Sequence, residues 1–199
     1  DYLDRKAPAD FAIGTECFVD VCAQHVDYVH NLINPSKPTD FSEWMRYAFP
    51  EVPVSDREIR DDTDIAWRVN HNLLLGLITD GETFRCQRTL DWAPAHQKRL
   101  GEINALRRRY PALMGVYRDT DGIVNSDPSS LLARAFTAGD AMAVVVCTAK
   151  DAAARGTISV PGRRLVSWSG IDAPTVEETA DGVRLELPPN ALAVLEFGK

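Results

Sequence analysis

The sequence predicts an α/β region followed by an all-β region, and three observations support this fold class. In the first half, short apolar runs alternate with segments whose apolar residues recur every three or four positions, which is typical of strands followed by helices. After about Met114, short apolar strands separated by Gly- or Pro-containing turns replace that pattern. The polar stretch "YRDTDGIVNSDPSS" lies between the two. We therefore expect β/α units over residues 1–116, a linker over 117–130 and a small antiparallel β-sandwich over 131–199.

The chain opens with one strand and one helix. Phe11 to Thr15 is a short apolar segment, consistent with a buried parallel strand. Apolar residues then recur at spacings of three and four, which predicts a helix from Val19 to Ile33. Asn34-Pro35 ends this helix, because the residue before a proline is disfavoured in the helical region.

The next segment is interrupted by prolines. A short helix is expected to begin at Asp40. Residues 47–54 are predicted to be extended. They are not expected to form a central strand, because Pro50 and Pro53 lack the N–H that such a strand donates.

Two helices complete the first half. One starts at about Asp64, where Asp62-Thr63-Asp64 supplies candidate N-caps, and it carries the apolar stripe Ile65, Val69, Leu73 and Leu77. Asp80-Gly81 is expected to form a turn or to stop a helix. The second runs from about Ala93 to Tyr110 and is followed by Pro111.

The second half is predicted to be all β. A hairpin is indicated around Ala138-Gly139-Asp140, two strands flank Pro161-Gly162, and a last pair flanks Pro188-Pro189-Asn190. Six or so short strands with no helix between them favour an antiparallel β-sandwich.

Composition and charge exclude several classes of function. The net charge of -7 argues against binding to nucleic-acid phosphates, and no apolar run is long enough to span a bilayer. The four scattered cysteines do not form a disulfide framework, which favours a reducing, cytoplasmic compartment. No serine-hydrolase elbow, phosphate-binding loop or dinucleotide fingerprint occurs, so no cofactor is expected.

Two cysteines and two histidines lie close together in the sequence, with spacings that also occur between zinc ligands. Cys22 and His25 are separated by two residues only, whereas a zinc finger needs a longer excursion between its two pairs. Packed cysteines and histidines explain the group better, so no metal site is predicted.

Glu16 is the candidate catalytic residue. It directly follows the strand predicted to end at Thr15 and precedes a helix, and functional side chains of (β/α)8 barrels project from such strand ends. Glycoside hydrolysis needs two carboxylates, of which Glu16 could be one. The alternative is an acid in the first turn of a helix, stabilised there by the helix dipole.

Three further residues are candidates for substrate binding. Asp56 and Arg57 belong to "VSDREIRDD", which is expected to be the next loop after a strand, and a guanidinium fork can hold a sugar hydroxyl or a carboxylate. The alternative is a solvated, self-paired charge run. Trp44, expected on a loop, could stack on a sugar face.

At "FAIGTE", "RYAFPEVPVSDREIRDDTDIAWRVNHNLLLGL" and "FRCQRTLDWAPAHQKRLGEINALRRRYPALM" the chain resembles the C-terminal part of bacterial (β/α)8-barrel glycoside-hydrolase-like proteins. These proteins are distantly similar to α-galactosidase-type enzymes, and a β-sandwich follows their last barrel units. The resemblance implies a glycosidase with Glu16 facing a pocket at the barrel mouth and a carbohydrate as substrate. Because the predicted β/α units are too few to close a barrel, the remaining units must come from the same protein or another chain. The alternative is a non-catalytic carbohydrate-binding or structural module.

Overall fold

A computed structural model describes residues 12–15, 25–31, 40–59, 62–81 and 90–199. Strands outnumber helices in these ranges, and they form one parallel and two antiparallel sheets. No helix within them is long and apolar enough to cross a membrane.

The first half contains a four-stranded parallel sheet. Its strands follow one another in space in the order of the sequence, and each pairs in parallel with its neighbour. They are β1 (Gly14–Thr15), β2 (Tyr28–Asn31), β3 (Val54–Ile59) and β4 (Ile78–Gly81).

Three α-helices lie within the described part of this half. They are α1 (Asp40–Ala48), α2 (Ile65–Leu74) and α3 (Pro94–Arg109). Short 3-10 turns precede and follow α3 at Leu90–Trp92 and Pro111–Met114. The predicted start of α1 at Asp40 and the predicted span of α3 are confirmed.

Three expectations for this half are wrong. The helix predicted to reach Ile33 is contradicted at Tyr28–Asn31, which is β2, and its start at Val19 lies outside the described residues. Residues 47–54 are not extended, because Tyr47 and Ala48 end α1 and a turn follows at Pro50; as predicted, no central strand contains the two prolines, and β3 begins only after Pro53. Asp80-Gly81 ends β4 rather than forming a turn.

The second half is built from nine strands within the described residues. The five-stranded sheet has the order β10-β13-β8-β7-β5, and the four-stranded sheet has the order β11-β12-β9-β6. The strands are β5 (Val116–Tyr117), β6 (Val124–Asn125), β7 (Leu131–Ala138), β8 (Ala141–Thr148), β9 (Ala154–Ser159), β10 (Arg164–Ile171), β11 (Thr175–Thr179), β12 (Gly182–Leu187) and β13 (Leu192–Gly198).

The hairpin around Gly139 is confirmed by the antiparallel pairing of β7 with β8. The chain changes sheet at Pro161-Gly162 and again at Pro188-Pro189-Asn190, since β9 and β10, and then β12 and β13, belong to different sheets. The segment 117–130, predicted as a linker, contributes the end of β5 and the whole of β6, which pair with β7 and β9.

Two large apolar clusters hold the second half together. One lies between the two antiparallel sheets and joins residues such as Val144 and Leu195 of one sheet to Ile158 and Leu185 of the other. The second joins the other face of the five-stranded sheet to the helices, and it includes Val69 of α2, Ile103 of α3 and Val145 of β8. A third, smaller cluster places Met45 of α1 against Val29 and Val54 of the parallel sheet.

The end of α2 is fixed by its backbone. Gly76 has φ +67°, a left-handed conformation that favours glycine. Its N–H bonds to the carbonyl of Leu73 and the N–H of Leu77 bonds to that of Asn72, which is the Schellman pattern of a helix C-terminus. This turn leads the chain directly into β4.

Candidate functional site

The carboxyl edge of the parallel sheet is the candidate functional site. Parallel strands end at one edge, and in α/β proteins binding and catalytic residues gather beyond it. The register aligns Thr15 with Val29, Asn31 with Asp56 and Ile59 with Gly81. The four strands therefore run toward one edge, but their ends are staggered: β2 extends two residues beyond β1, β3 extends three beyond β2, and β3 and β4 end level.

Acidic residues occur at or directly after the ends of three of these strands. Glu16 follows the last residue of β1 in the sequence, and its own position is outside the described residues. Asp56 and Glu58 belong to β3, and Asp80 belongs to β4. The backbone thus brings Asp56, Glu58 and Asp80 toward the same edge of the sheet, which we call the acidic edge.

The predicted substrate-binding residues occupy different elements from those expected. Asp56 and Arg57 lie within β3 and not on the loop after it. Asp56 pairs with Asn31 of β2 and Thr79 of β4, and Arg57 lies at a register shift after which the pairing with β4 resumes at Ile59. Trp44 lies on α1 and not on a loop, and 51% of it is exposed. Their roles in binding a sugar stay predictions.

The N-terminus of α3 lies beside the connection between β3 and α2. Asp62 fixes it from the preceding β/α connection: its carboxylate accepts hydrogen bonds from the N–H groups of Ala95 (3.1 Å) and His96 (2.9 Å). A carboxylate at a helix N-terminus also meets the positive end of the helix dipole. The candidate caps of α2 behave differently, because Asp64 occupies its N-cap position without a side-chain capping bond.

His96 is a functional candidate that the sequence analysis missed. It is fully buried, and neither ring nitrogen has a hydrogen-bond partner within the described part of the chain. Burial lowers the pKa of its imidazole, Asp62 opposes this, and Arg68 adds to it. A neutral imidazole has one nitrogen that donates a hydrogen bond and one that accepts, so His96 offers both to a polar group of a ligand. The only signal in the sequence was a histidine in the first turn of α3.

Ion pairs join the N-terminal parts of α2 and α3 to segments that follow strands of the antiparallel sheets. Arg99, with 7% of its surface exposed, pairs with Asp172 in the turn between β10 and β11, and with Glu102 at 3.5 Å. Lys150 after β8 pairs with Asp64. These contacts fix the N-cap of α2 and the second turn of α3 against the second half of the chain.

No group of three His, Cys, Asp or Glu side chains within the described ranges could hold a metal ion. The cysteine and histidine group considered for zinc includes Cys17 and Cys22, which lie outside those ranges.

Comparisons with known proteins show similarity in fold and not in sequence. No protein-family model matches the chain, and no curated protein sequence matches it. Among solved structures it is similar to an alpha-amylase from H. orenii, with a TM-score of 0.59 and 10% identity over 94% of this chain and 53% of that one. It is also similar to a GH30 endoxylanase from Clostridium papyrosolvens C71, with a TM-score of 0.50 and 9% identity over 91% of this chain and 51% of that one.

Both similar structures are (β/α)8-barrel glycoside hydrolases, and this chain spans about half the length of each. At this identity the likeness shows a shared fold and not a shared reaction. The chain therefore shares its fold with about half of each of these two structures.

Proposed function

We propose that the chain is the C-terminal half of a (β/α)8-barrel glycoside hydrolase with an appended β-sandwich. The observation that carries this proposal is the parallel sheet with acidic residues at the carboxyl ends of three of its four strands. Four strands are half of the eight that a closed barrel needs. Within the described residues β1 and β4 each have one free edge, so four further strands from the same protein or another chain would close the barrel.

The proposed reaction is hydrolysis of a glycosidic bond by two carboxylic acids. One protonates the leaving oxygen, and the other acts as nucleophile or as the base that activates water. Glu16 is the first choice for one of them, and Asp80 is a candidate for the other because it lies at the same edge. Asp56, Arg57 and Trp44 are proposed to bind the sugar, and resemblance to α-galactosidase-type enzymes favours a galactoside-like substrate.

The test is hydrolysis of a panel of aryl glycosides by the full-length protein. Glu16→Gln is expected to reduce kcat by at least a thousandfold without changing the melting temperature, since amides cannot transfer the proton or form the glycosyl bond. Glu178→Gln, at an exposed position on β11, is the matched control. Unchanged turnover in Glu16→Gln removes Glu16 from the catalytic pair.

The alternative, a non-catalytic carbohydrate-binding module, is favoured only by the exposure of Trp44. It predicts no turnover of any glycoside, binding that survives Glu16→Gln, and weaker binding in Trp44→Ala. Trp168→Ala, 39% exposed on β10, is the control for loss of an exposed indole. The mass of the native protein gives an independent measurement, since a species much heavier than 22.0 kDa from one gene shows that further strands are present.

A further inference from the structure

A cleft lies at the amino end of the parallel strands, opposite the end that carries the acidic residues. Its volume is about 400 Å³, and it opens between the starts of β3 and β4 on one side and the β7–β8 hairpin on the other. It is lined by two arginines, Arg46 and Arg107, and one acid, Glu51, among mainly apolar residues. The acidic edge described above is at the other end of the strands, so the two sites are separate.

Arg46 reaches the cleft from α1, and only 5% of it is exposed. Its Nε donates to the carbonyl of Leu75 (3.2 Å) and its Nη1 donates to that of Val52 (2.6 Å). The guanidinium also lies 5.6 Å from the centre of the Tyr117 ring. These contacts fix the group in place, but none of them carries a negative charge.

Arg107 reaches the cleft from α3. Its Nη2 donates to the carbonyl of Leu77, while its Nε is buried without a hydrogen-bond partner within the described residues. The carbonyls that hold the two guanidinium groups belong to Leu75 and Leu77, which flank Gly76. Two residues span at most about 7 Å of chain, so the two cations are held at one short turn.

Neither guanidinium is within ion-pair distance of a carboxylate in the described part of the chain. Arg46 is buried and Arg107 is partly buried. Taking a cation out of water is costly without a nearby opposite charge, and two like charges at one turn raise that cost. Burial lowers the pKa of both Arg46 and Arg107, and at Arg46 the electrostatic interactions with Tyr117 and Glu51 oppose this shift. Glu51 also lines the cleft but is exposed, so it does not complete a buried pair.

We propose that this cleft binds a small organic oxyanion, a phosphate or a carboxylate attached to an apolar group. The planar guanidinium fork matches both oxyanions in geometry and charge. The apolar part would lie against the remaining wall, which presents Ile78, Met114 and Val116, each of them 41% exposed or more. Such a ligand supplies the missing negative charge and covers apolar surface at the same time.

The proposal is tested by calorimetric titration of the full-length protein with phenyl phosphate and benzoate. Two compounds serve as controls: inorganic phosphate carries the anionic group without the apolar part, and benzyl alcohol carries the apolar part without the charge. We expect saturable binding of at least one aromatic anion, at least tenfold weaker binding of inorganic phosphate, and no binding of benzyl alcohol. The stronger of the two aromatic anions identifies the head group.

Paired variants separate binding from folding. Arg107→Gln is expected to weaken binding at least tenfold, whereas Glu51→Gln is expected to strengthen it several-fold because it removes the acid that lines the cleft. Arg108→Gln, exposed on the same helix and outside the cleft, is the control. A general loss of structure would not produce opposite signs in the first two variants.

Three results would overturn the proposal. They are equal binding of benzyl alcohol and the anions, unchanged affinity in Arg107→Gln, and no saturable binding of either aromatic anion.

Discussion

The side-chain amide of Asn70 on α2 donates a hydrogen bond of 2.7 Å to the backbone carbonyl of Asn190, 120 residues further along the chain. Asn70 is 2% exposed, and Asn190 sits in the turn between β12 and β13 with φ +60°. The same turn is held by Thr148, whose hydroxyl accepts from the N–H of Asn190 at 3.2 Å. One buried amide therefore joins the helices to the sheet-changing turn.

Loss of this bond should destabilise the protein. Asn70→Ala leaves the Asn190 carbonyl without its donor, and we expect a loss of about 1–3 kcal/mol in the free energy of unfolding. Chemical denaturation measures it. A change smaller than about 0.5 kcal/mol would show that water replaces the amide without cost.

The turn itself offers a second comparison. Asn190→Gly keeps the left-handed backbone but loses the side-chain bonds to Asp151, whereas Asn190→Ala loses the bonds and also strains the backbone. We expect the alanine variant to be about 1 kcal/mol less stable than the glycine variant. Thermal unfolding of the two variants side by side checks this order.

Gly76 and Gly101 should respond to alanine in opposite directions. A Cβ at Gly76 would lie 2.6 Å from Cε1 of Phe136, and the backbone there is left-handed, so Gly76→Ala is expected to cost more than about 2 kcal/mol. A Cβ at Gly101, inside α3, meets nothing within 4 Å, so Gly101→Ala should stabilise the protein by about 0.5–1 kcal/mol. Melting temperatures that move in the same direction would contradict this account of the turn.

The ion pair of Glu43 with Arg134 fixes α1 against β7. Arg134 also pairs with Asp119 at 2.8 Å, and its side chain is 18% exposed. Glu43→Gln is expected to cost about 1–3 kcal/mol because it removes a charge from a partly buried hydrogen-bonded network. Lys98→Met is the control: that lysine is 78% exposed and 3.8 Å from Glu102, so its loss should cost less than about 0.5 kcal/mol.

Stability should depend on pH through His71. Burial, assisted by the charge of Arg134, lowers the pKa of its imidazole to about 4 from the ordinary value of 6.5. Between these values the unfolded chain binds a proton that the folded chain does not, so stability falls as the pH is lowered from 6.5 to 4. Above pH 6.5 His71 is neutral in both the folded and the unfolded chain, so it does not make the free energy of unfolding depend on pH.

His71→Gln should reduce the dependence on pH in that window by up to about 1.4 kcal/mol per pH unit, the value for one proton. Denaturation midpoints at several pH values measure it, with His25→Gln at an exposed position as the matched control. An equal loss of slope in both variants would exclude His71 as the cause.

The sequence predicted best where local pattern and tertiary environment agree. The span of α3 followed from Ile103 and Leu106 on one face, and both are buried against the five-stranded sheet. The β7–β8 hairpin followed from Gly139 between two apolar runs. In both cases the residues within the element decide its structure.

The sequence predicted the structure least well where contacts with residues far away in the chain determine the local structure. Val26 and Val29 have a spacing of three that fits a helix, but pairing of Val29 with Val54 makes the segment around Val29 a strand. The role of Arg46 was equally hidden, since its neighbours come from the turn after α2 and from β5. A buried guanidinium on a short helix has no sequence signature of its own.

The apolar cluster shared by α2, α3 and the five-stranded sheet has a consequence for cooperativity. Ala143, Val145 and Val194 face the helices, so separating residues 131–199 from the preceding part would expose a continuous apolar surface. Exposed surfaces of this kind promote aggregation. We therefore expect the helices and the antiparallel sheets to unfold in a single transition, and residues 131–199 expressed alone to aggregate.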